Sequence, residues 1–462
     1  MKKYQTFVGV LVLSMAGFAA QASGAAPDAP VSQTGANKSF TALGITVTNP
    51  GSGYTSAPSV TITPTAGLHM SVRATATVAD GKVTSVFIAY GGSGYSPSTP
   101  PTVSFSGGGG SGAAATAEVI TKHDDYYWAA QGVGVPSPSP RFTDNKDGTV
   151  TDNKTGLIWQ ANAGAFGEVT WEQALADCSS LASGSNGLTD GSKAGDWRLP
   201  NLNELRSLCN YGYRPALPND KGDAPWGKGP SAFTGFQTAN GYWTSTPFLP
   251  KPGHAWAVNM GIGLANDVVS HRNDHMQILL MNVWAVRGKG TNSVAPVSQT
   301  GAKESPADVG VPLPSPRFTN NKDGTITDNK TGLIWLANAD AFGAVPPDQA
   351  LTACDKLASG SNGLTDGSKA GDWRLPNINE LQSLCNYGYL NPVITNDKGD
   401  AKWTPDGVGK TCSISGVQSG WYWVSTTTTL SSDRVWAINL GTGVIHFEPS
   451  MTDHVWPVRG GK

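Results

Sequence analysis

The chain repeats itself, and this constrains its fold more than any other feature. Arg141-Phe-Thr-Asp-Asn-Lys-Asp-Gly-Thr returns at Arg317 as Arg-Phe-Thr-Asn-Asn-Lys-Asp-Gly-Thr, an offset of 176 residues. Leu181 to Asn201 recur unchanged as Leu357 to Asn377, and Cys178 and Cys209 recur as Cys354 and Cys385. A repeat of this length is a whole domain, far beyond the roughly 20–50 residues of a solenoid unit. The sequence therefore predicts two copies of one domain, over 141–289 and 317–462, joined by a linker at 290–316. The offset then drifts, with Trp243 pairing with Trp423 and Trp284 with Trp456. That drift implies one scaffold carrying two differently shaped loop surfaces.

A second repeat is shorter. Ala29-Pro-Val-Ser-Gln-Thr-Gly-Ala36 recurs as Ala295 to Ala302. In the second unit this segment leads almost directly into the repeated domain; in the first, residues 37–120 intervene. We read 23–36 and 121–140 as linkers and 37–120 as an inserted module. Within that module Pro50-Gly-Ser-Gly-Tyr54 resembles Gly91-Gly-Ser-Gly-Tyr95. Alternating Thr and Val around an Asp80-Gly81 turn predict strands and a hairpin, hence an all-β module. The glycine run 107–112 lacks the Lys-Ser/Thr pair and following helix of a phosphate loop.

The first 22 residues have the pattern of a signal peptide. Lys2 and Lys3 precede an apolar run from Phe7 to about Ala20, and Ala20-Gln21-Ala22 is a small-residue cleavage site. The run is short for a membrane span, no Cys follows the cleavage site, and no later segment could cross a bilayer. The expected location is outside the cell or on its surface, with the periplasm as the alternative. Charged residues are only 14% of the chain and the formal net charge is −2, unlike the basic footprint of a nucleic-acid binder.

In each repeated unit the turn signals Asp147-Gly148 and Lys154-Thr-Gly156 predict three short antiparallel strands ending at Trp159. A helix follows, capped by Thr170 with Gln173 as its capping-box partner; the second copy has Pro346 and Pro347 there, suited to a first turn. A second helix begins after Asn201, boxed by Glu204, as Asn377 and Glu380 repeat. The segments 242–246, 255–259 and 283–287, with their counterparts 421–425, 435–439 and 455–459, are expected strands. Each copy carries seven Trp, expected in the core because a loop-rich domain needs large side chains to bury enough apolar area.

Cys178 and Cys209 fall on apolar faces of the two helices, and disulfides are permitted in an exported chain. A Cys178–Cys209 bridge, and likewise Cys354–Cys385, would close a loop of about thirty residues and contribute ~3–4 kcal/mol in the chain-entropy model. Paired buried thiols are the alternative. Cys412 is left over, free or bridged between chains.

No Gly-x-Ser-x-Gly elbow and no His-Glu-x-x-His occur, so no enzyme is expected. His271-Arg-Asn-Asp-His275 is the densest polar cluster, but its counterpart near His446 and Glu448 lacks the pattern. Asp144, Asp147 and Asp152 invite a calcium reading; their spacing is not that of an EF-hand, and no Glu closes the loop. No cofactor is expected, calcium being the remaining alternative. The candidate ligand-binding residues are polar and lie in the variable halves: Asn266, Asp267, His271, Arg272, Asn273 and Asp274 in the first copy, and Arg434, His446, Glu448 and Asp453 in the second. Asn, Asp and Arg beside aromatic faces are what carbohydrate sites use.

The ordered motifs Pro-Ser-Pro-Arg-Phe-Thr, Thr-Gly-Leu-Ile-Trp, Gly-Asp-Trp-Arg-Leu-Pro-Asn, Tyr-Trp-Thr-Ser-Thr and Val-Trp-Pro-Val-Arg-Gly-Gly resemble the C-terminal domain family of Lcl-type collagen-like bacterial adhesins. The resemblance covers roughly 136–289 and 312–462. It implies an α+β fold, two tandem C-type-lectin-like domains of two helices and a twisted antiparallel sheet, related also to formylglycine-generating-type domains. It implies extracellular adhesion, with sulfated glycans as one ligand class. Formylglycine-generating relatives use a reactive Cys pair, whereas these cysteines lie on apolar helix faces and no Cys-x-x-Cys occurs. No collagen-like Gly-X-Y stretch precedes the domains. Residues 141–289 hold 13 Lys/Arg and 13 Asp/Glu, a balance that suits a neutral glycan or a protein ligand at least as well as a sulfated one. The alternative function is a fibre or extracellular-matrix component that self-associates through the β module.

Overall fold

The computed structural model describes residues 41–63, 73–90, 100–121, 135–249, 254–261, 264–270, 280–290, 297–302, 309–405, 412–427, 434–449 and 452–460. The expected signal peptide and the 23–36 linker lie outside them.

The N-terminal module is one six-stranded antiparallel sheet. Its strands are β1 (Thr41–Ser52), β2 (Ser59–Thr63), β3 (Arg73–Ala79), β4 (Lys82–Tyr90), β5 (Thr102–Ser106) and β6 (Ser111–Thr121), in the order β1-β6-β5-β2-β3-β4. Asp80 and Gly81, with φ of 50° and 70°, form the expected two-residue hairpin turn between β3 and β4. The terminal strands β1 and β4 lie against each other, so the sheet curls back on itself around Tyr54, Ala76 and Val83. The glycine run packs onto Tyr54: a Cβ on Gly110 would stand 2.6 Å from Tyr54 Cγ. The Tyr54 hydroxyl accepts the Ala113 N–H at 3.3 Å. Glycine is there for close approach of backbone to ring.

The first repeated copy contains β7 (Phe142–Asp144), β8 (Thr149–Asp152), β9 (Ile158–Gln160), β10 (Glu168–Val169), α1 (Trp171–Ser180), α2 (Leu202–Ser207), β11 (Tyr242–Pro247), β12 (His254–Asn259), β13 (Leu264–Ser270), β14 (Met281–Asn282) and β15 (Val286–Arg287). The second contains β16 (Phe318–Asn320), β17 (Thr325–Asp328), β18 (Ile334–Leu336), β19 (Ala344–Val345), α3 (Pro347–Lys356), α4 (Ile378–Ser383), β20 (Trp421–Thr427), β21 (Arg434–Asn439), β22 (Ile445–Pro449), β23 (Asp453–His454) and β24 (Val458–Arg459). The chain is mostly β, with four short helices among the described residues.

Each copy has two sheets, β15-β9-β8-β7 and β10-β14-β11-β12-β13 in the first, matched by β24-β18-β17-β16 and β19-β23-β20-β21-β22 in the second. Of the segment 283–287, expected as one strand, only Val286–Arg287 is strand, preceded by β14 at Met281–Asn282. β14 belongs to the five-stranded sheet and β15 to the other, because Val283-Trp284-Ala285 crosses between them. There the Trp284 indole N–H donates to Gln160 O at 2.8 Å. In its counterpart 455–459 only Val458–Arg459 is strand, and Val455-Trp456-Pro457 makes the same crossing from β23 to β24.

The helix caps follow the sequence closely. Asn201 and Asn377 each form a complete capping box with Glu204 and Glu380. Arg198 and Arg374 grip those same carboxylates with two 2.6 Å bonds each. Thr170 caps α1, but Gln173 turns away to Asp177 at 2.7 Å, so its box is not made. The expected acidic turn is engaged by protein: Asp144 with Lys146, Asp147 with the Thr149 hydroxyl, and buried Asp152 with Arg141.

The expected disulfides are absent: all five cysteines are free. Along β12, side chains alternate across the sheet. Ala255 and Ala257 join Cys178 of α1 in one core. Trp256 and Val258 face the other way, into the core that holds Leu205, Leu208 and Cys209. Cys178 and Cys209 are thus on opposite faces of a sheet buried on both sides. Cys354 and Cys385 are separated in the same manner.

The two copies share one continuous core and meet through equivalent residues. Tyr211 packs edge-on against Trp436 at 6.0 Å, and its counterpart Tyr387 packs edge-on against Trp256 at 5.4 Å, both at 77°. Such crossed pairs mark a two-fold-like, isologous contact. Arg206 of the first copy donates to the Tyr387 hydroxyl; Gln382, its counterpart, stands beside the Tyr211 hydroxyl. The residues expected as the 290–316 linker contribute to this contact, with Val297, Thr300 and Ala302 buried.

Candidate functional site

The variable second halves end in edge strands, β13 in the first copy and β22 in the second, and these two strands come together where the copies meet. Their registers relate residues that sequence comparison could not. Asp267 on β13 stands opposite Ala257, and His446 on β22 stands opposite Ala437. Ala257 and Ala437 are themselves counterparts, each following the paired Trp256 and Trp436. Asp267 and His446 therefore occupy the same position of the shared scaffold, and differ in charge.

Copy two sets an aromatic ring beside that position. His446 is exposed, and its ring centroid lies 6.2 Å from that of half-buried Trp421 on β20. Trp421 was missed in the sequence reading as a site residue. The available signal was its counterpart, Gly241: one copy has the ring and the other does not. A second difference lies nearby. His454 bonds Asp340 at 2.7 Å and packs at a tilt 5.2 Å from Tyr422, where the first copy has Asn282 and Gly164 in place of His454 and Asp340. Burial holds the Tyr422 phenol above its usual range, opposed by the Gln418 N–H that donates to it.

A model of the Lcl C-terminal domain family matches residues 148–287 and 324–459. The chain belongs to the Lcl C-terminal domain family. It carries two such domains in tandem, and membership points to an adhesin-like extracellular protein. No curated protein and no solved structure matches the chain.

The other expected site residues distribute unevenly over the two Lcl C-terminal domains. Asn266 neighbours Asp267 on β13; Arg434 begins β21 and Glu448 lies two residues beyond His446 on β22. Asp453 is 6% exposed and pairs by backbone with Val345, inside the sheet rather than on an open surface. His271, Arg272, Asn273 and Asp274 lie outside the described residues. Among the described residues no group of three His, Cys, Asp or Glu is placed to hold a metal. An aromatic face with an imidazole beside it offers apolar contact and a directional hydrogen bond together, the two interactions a sugar ring accepts.

Proposed function

We propose that the chain is an extracellular adhesin-like protein whose second Lcl C-terminal domain binds glycans on the face formed by Trp421 and His446. The observation that carries this reading is the exposed imidazole beside a half-buried indole on an edge strand, at the position where the scaffold's two copies diverge. The ligand class is neutral glycan, because the second domain, residues 317–462, holds 12 Lys/Arg against 14 Asp/Glu and so has no positive excess to attract sulfate. The fold type we assign is C-type-lectin-like, supported by a helix on each side of the central sheet. Gly241 leaves the first copy without the ring that Trp421 gives the second, so its face is the weaker or differently selective of the two.

The alternative, assembly through open edges of the N-terminal sheet, has no such observation behind it, since β1 and β4 lie against each other. The test is a glycan array with residues 23–462, repeated at two salt concentrations. Selective binding that is insensitive to salt supports the proposal. Binding that weakens steeply with salt replaces neutral by anionic ligands. Absence of binding to any glycan sinks it.

A further inference from the structure

Residues 297–302 of the octapeptide Ala295–Ala302 have a defined place at the contact between the copies. Val297 is 6% exposed and Thr300 fully buried. Asn203 on α2 donates to the carbonyls of Ser298 at 3.0 Å and Gln299 at 3.3 Å. The Tyr387 N–H donates to Thr300 O at 2.8 Å, and Gly301 packs so closely on Asn386 that a Cβ would stand 2.3 Å from it. Farther along the same segment, Val309 O accepts from Asn201 Nδ2 at 2.8 Å. The segment thus bridges α2 of copy one and the Asn386–Tyr387 loop of copy two, through backbone groups its sequence presents.

The contact is two-fold-like, so there is an equivalent place. It is formed by α4 of copy two, with Asn377 and Asn379 standing for Asn201 and Asn203, and by the loop of copy one, with Asn210 and Tyr211 standing for Asn386 and Tyr387. One atom there points to a ligand. Asn377 is 3% exposed, its Oδ1 is used by the Glu380 N–H, and its buried Nδ2 has no partner among the described residues. Its counterpart Asn201 spends that same donor on the carbonyl of Val309. A buried amide donor left unmade is costly, so this place calls for a backbone carbonyl of the kind that the chain just after the octapeptide, at Val309, supplies to Asn201.

The chain contains one other copy of the octapeptide, identical in all its residues: Ala29–Ala36. We propose that Ala29–Ala36 docks in the two-fold-equivalent place, against α4 of the second copy and the Tyr211 loop of the first, so that the pair of domains is closed by two identical straps. The short repeat is then explained. Each domain comes with its own strap, and the N-terminal β module was inserted between the first strap and its domain. The docked strap also holds the N-terminal module, whose first strand starts at Thr41, close to the domain pair.

The full mature chain tests this with a photo-reactive benzoylphenylalanine at Gln33. The same group at Gln299, which is only partly buried, is the internal control and must capture the peptide containing Asn203. Capture by the Gln33 probe of peptides 375–387 or 208–213, in a product that migrates as a single chain, is the expected result. Capture of other regions, or no capture while the Gln299 control succeeds, overturns the proposal. Capture in a product of two chains also overturns it, since the occupant is then another molecule. Hydrogen exchange on the unmodified chain is a second reading that does not depend on the probe. Amides 31–36 should be protected to within about tenfold of amides 297–302; exchange at the rate of an unstructured peptide contradicts the proposal.

Discussion

Cys178 and Cys209 sit on opposite faces of one sheet, in different cores, although the helices that lead to them are joined by a short stretch of chain. No rearrangement of side chains brings their sulfurs together, because the strands β11 and β12 stand between. Burial also pushes both thiols up, Cys209 to about 12 and Cys178 further, and Cys385 to about 11, so the nucleophilic thiolate is suppressed at neutral pH. The expected outcome is five titratable thiols when the purified protein is unfolded without reductant, and reaction of Cys412 alone in the native state. A peptide map containing Cys178 joined to Cys209 contradicts this.

Lys154 gives the first copy a pH dependence. Burial, and then the nearby Arg141 charge, lower its amine to about 7, while an unfolded lysine titrates near ~10.4. Between those values the unfolded chain holds a proton that the folded chain has released, so stability rises with pH across that window. Comparing denaturant midpoints of wild type and Lys154→Met at pH 7 and pH 9.5 isolates the effect. The wild type should gain on the variant at the higher pH; parallel behaviour means the amine is not buried as described.

The Arg141–Asp152 pair, 2.8 Å apart and almost inaccessible, links the first strands to the end of α2, since Arg141 also donates to Ser207 O. Asp152→Asn leaves a buried guanidinium without its counter-charge and should cost about 3–5 kcal/mol of stability. Burial alone would raise the Asp152 carboxyl; Arg141, Thr155 and the Lys154 N–H outweigh it and hold it low. Its contribution is therefore present above the ordinary carboxylate range and is lost as pH falls through its lowered value. Asp152→Asn should unfold with a shallower acid dependence than wild type.

In the N-terminal module, Gly110→Ala would drive a methyl group into Tyr54 and the Ser52 carbonyl. Overpacking of this kind costs about 1–3 kcal/mol, a large loss for a module with so small a core. Thermal unfolding of the variant should show an early transition for the module while the transition of the two domains stays in place. An unchanged profile means that the glycine run is not a packing device.

Much of this architecture was legible in the residues. The duplication, both capping boxes and the hairpins are written in local patterns, and Asn201, Glu204 and Asp80-Gly81 act as their types predict. The cysteine pairing was misread for a physical reason. Apolar spacing on a helix says that Cys178 and Cys209 are buried, and not on which side of a sheet. The corrective signal was β12 itself: Ala255-Trp256-Ala257-Val258 is apolar at every position, which marks a sheet buried on both faces. The equivalence of Asp267 and His446 was hidden because loop length changes between the copies, so only strand register relates them. The packing of 297–302 was hidden too, since Ser, Gln, Thr and Gly read as linker composition while their backbone groups do the binding.

The central claim is that Trp421 and His446 form the ligand face, and the most direct measurement compares the affinity of the best array glycan for wild type and for Trp421→Gly, the residue that the first copy carries at that position. Loss of an aromatic platform should weaken binding about tenfold or more, ~1.4 kcal/mol, with the thermal stability of the domain pair retained. Undiminished affinity in a folded Trp421→Gly protein would contradict the account and move the ligand to another face.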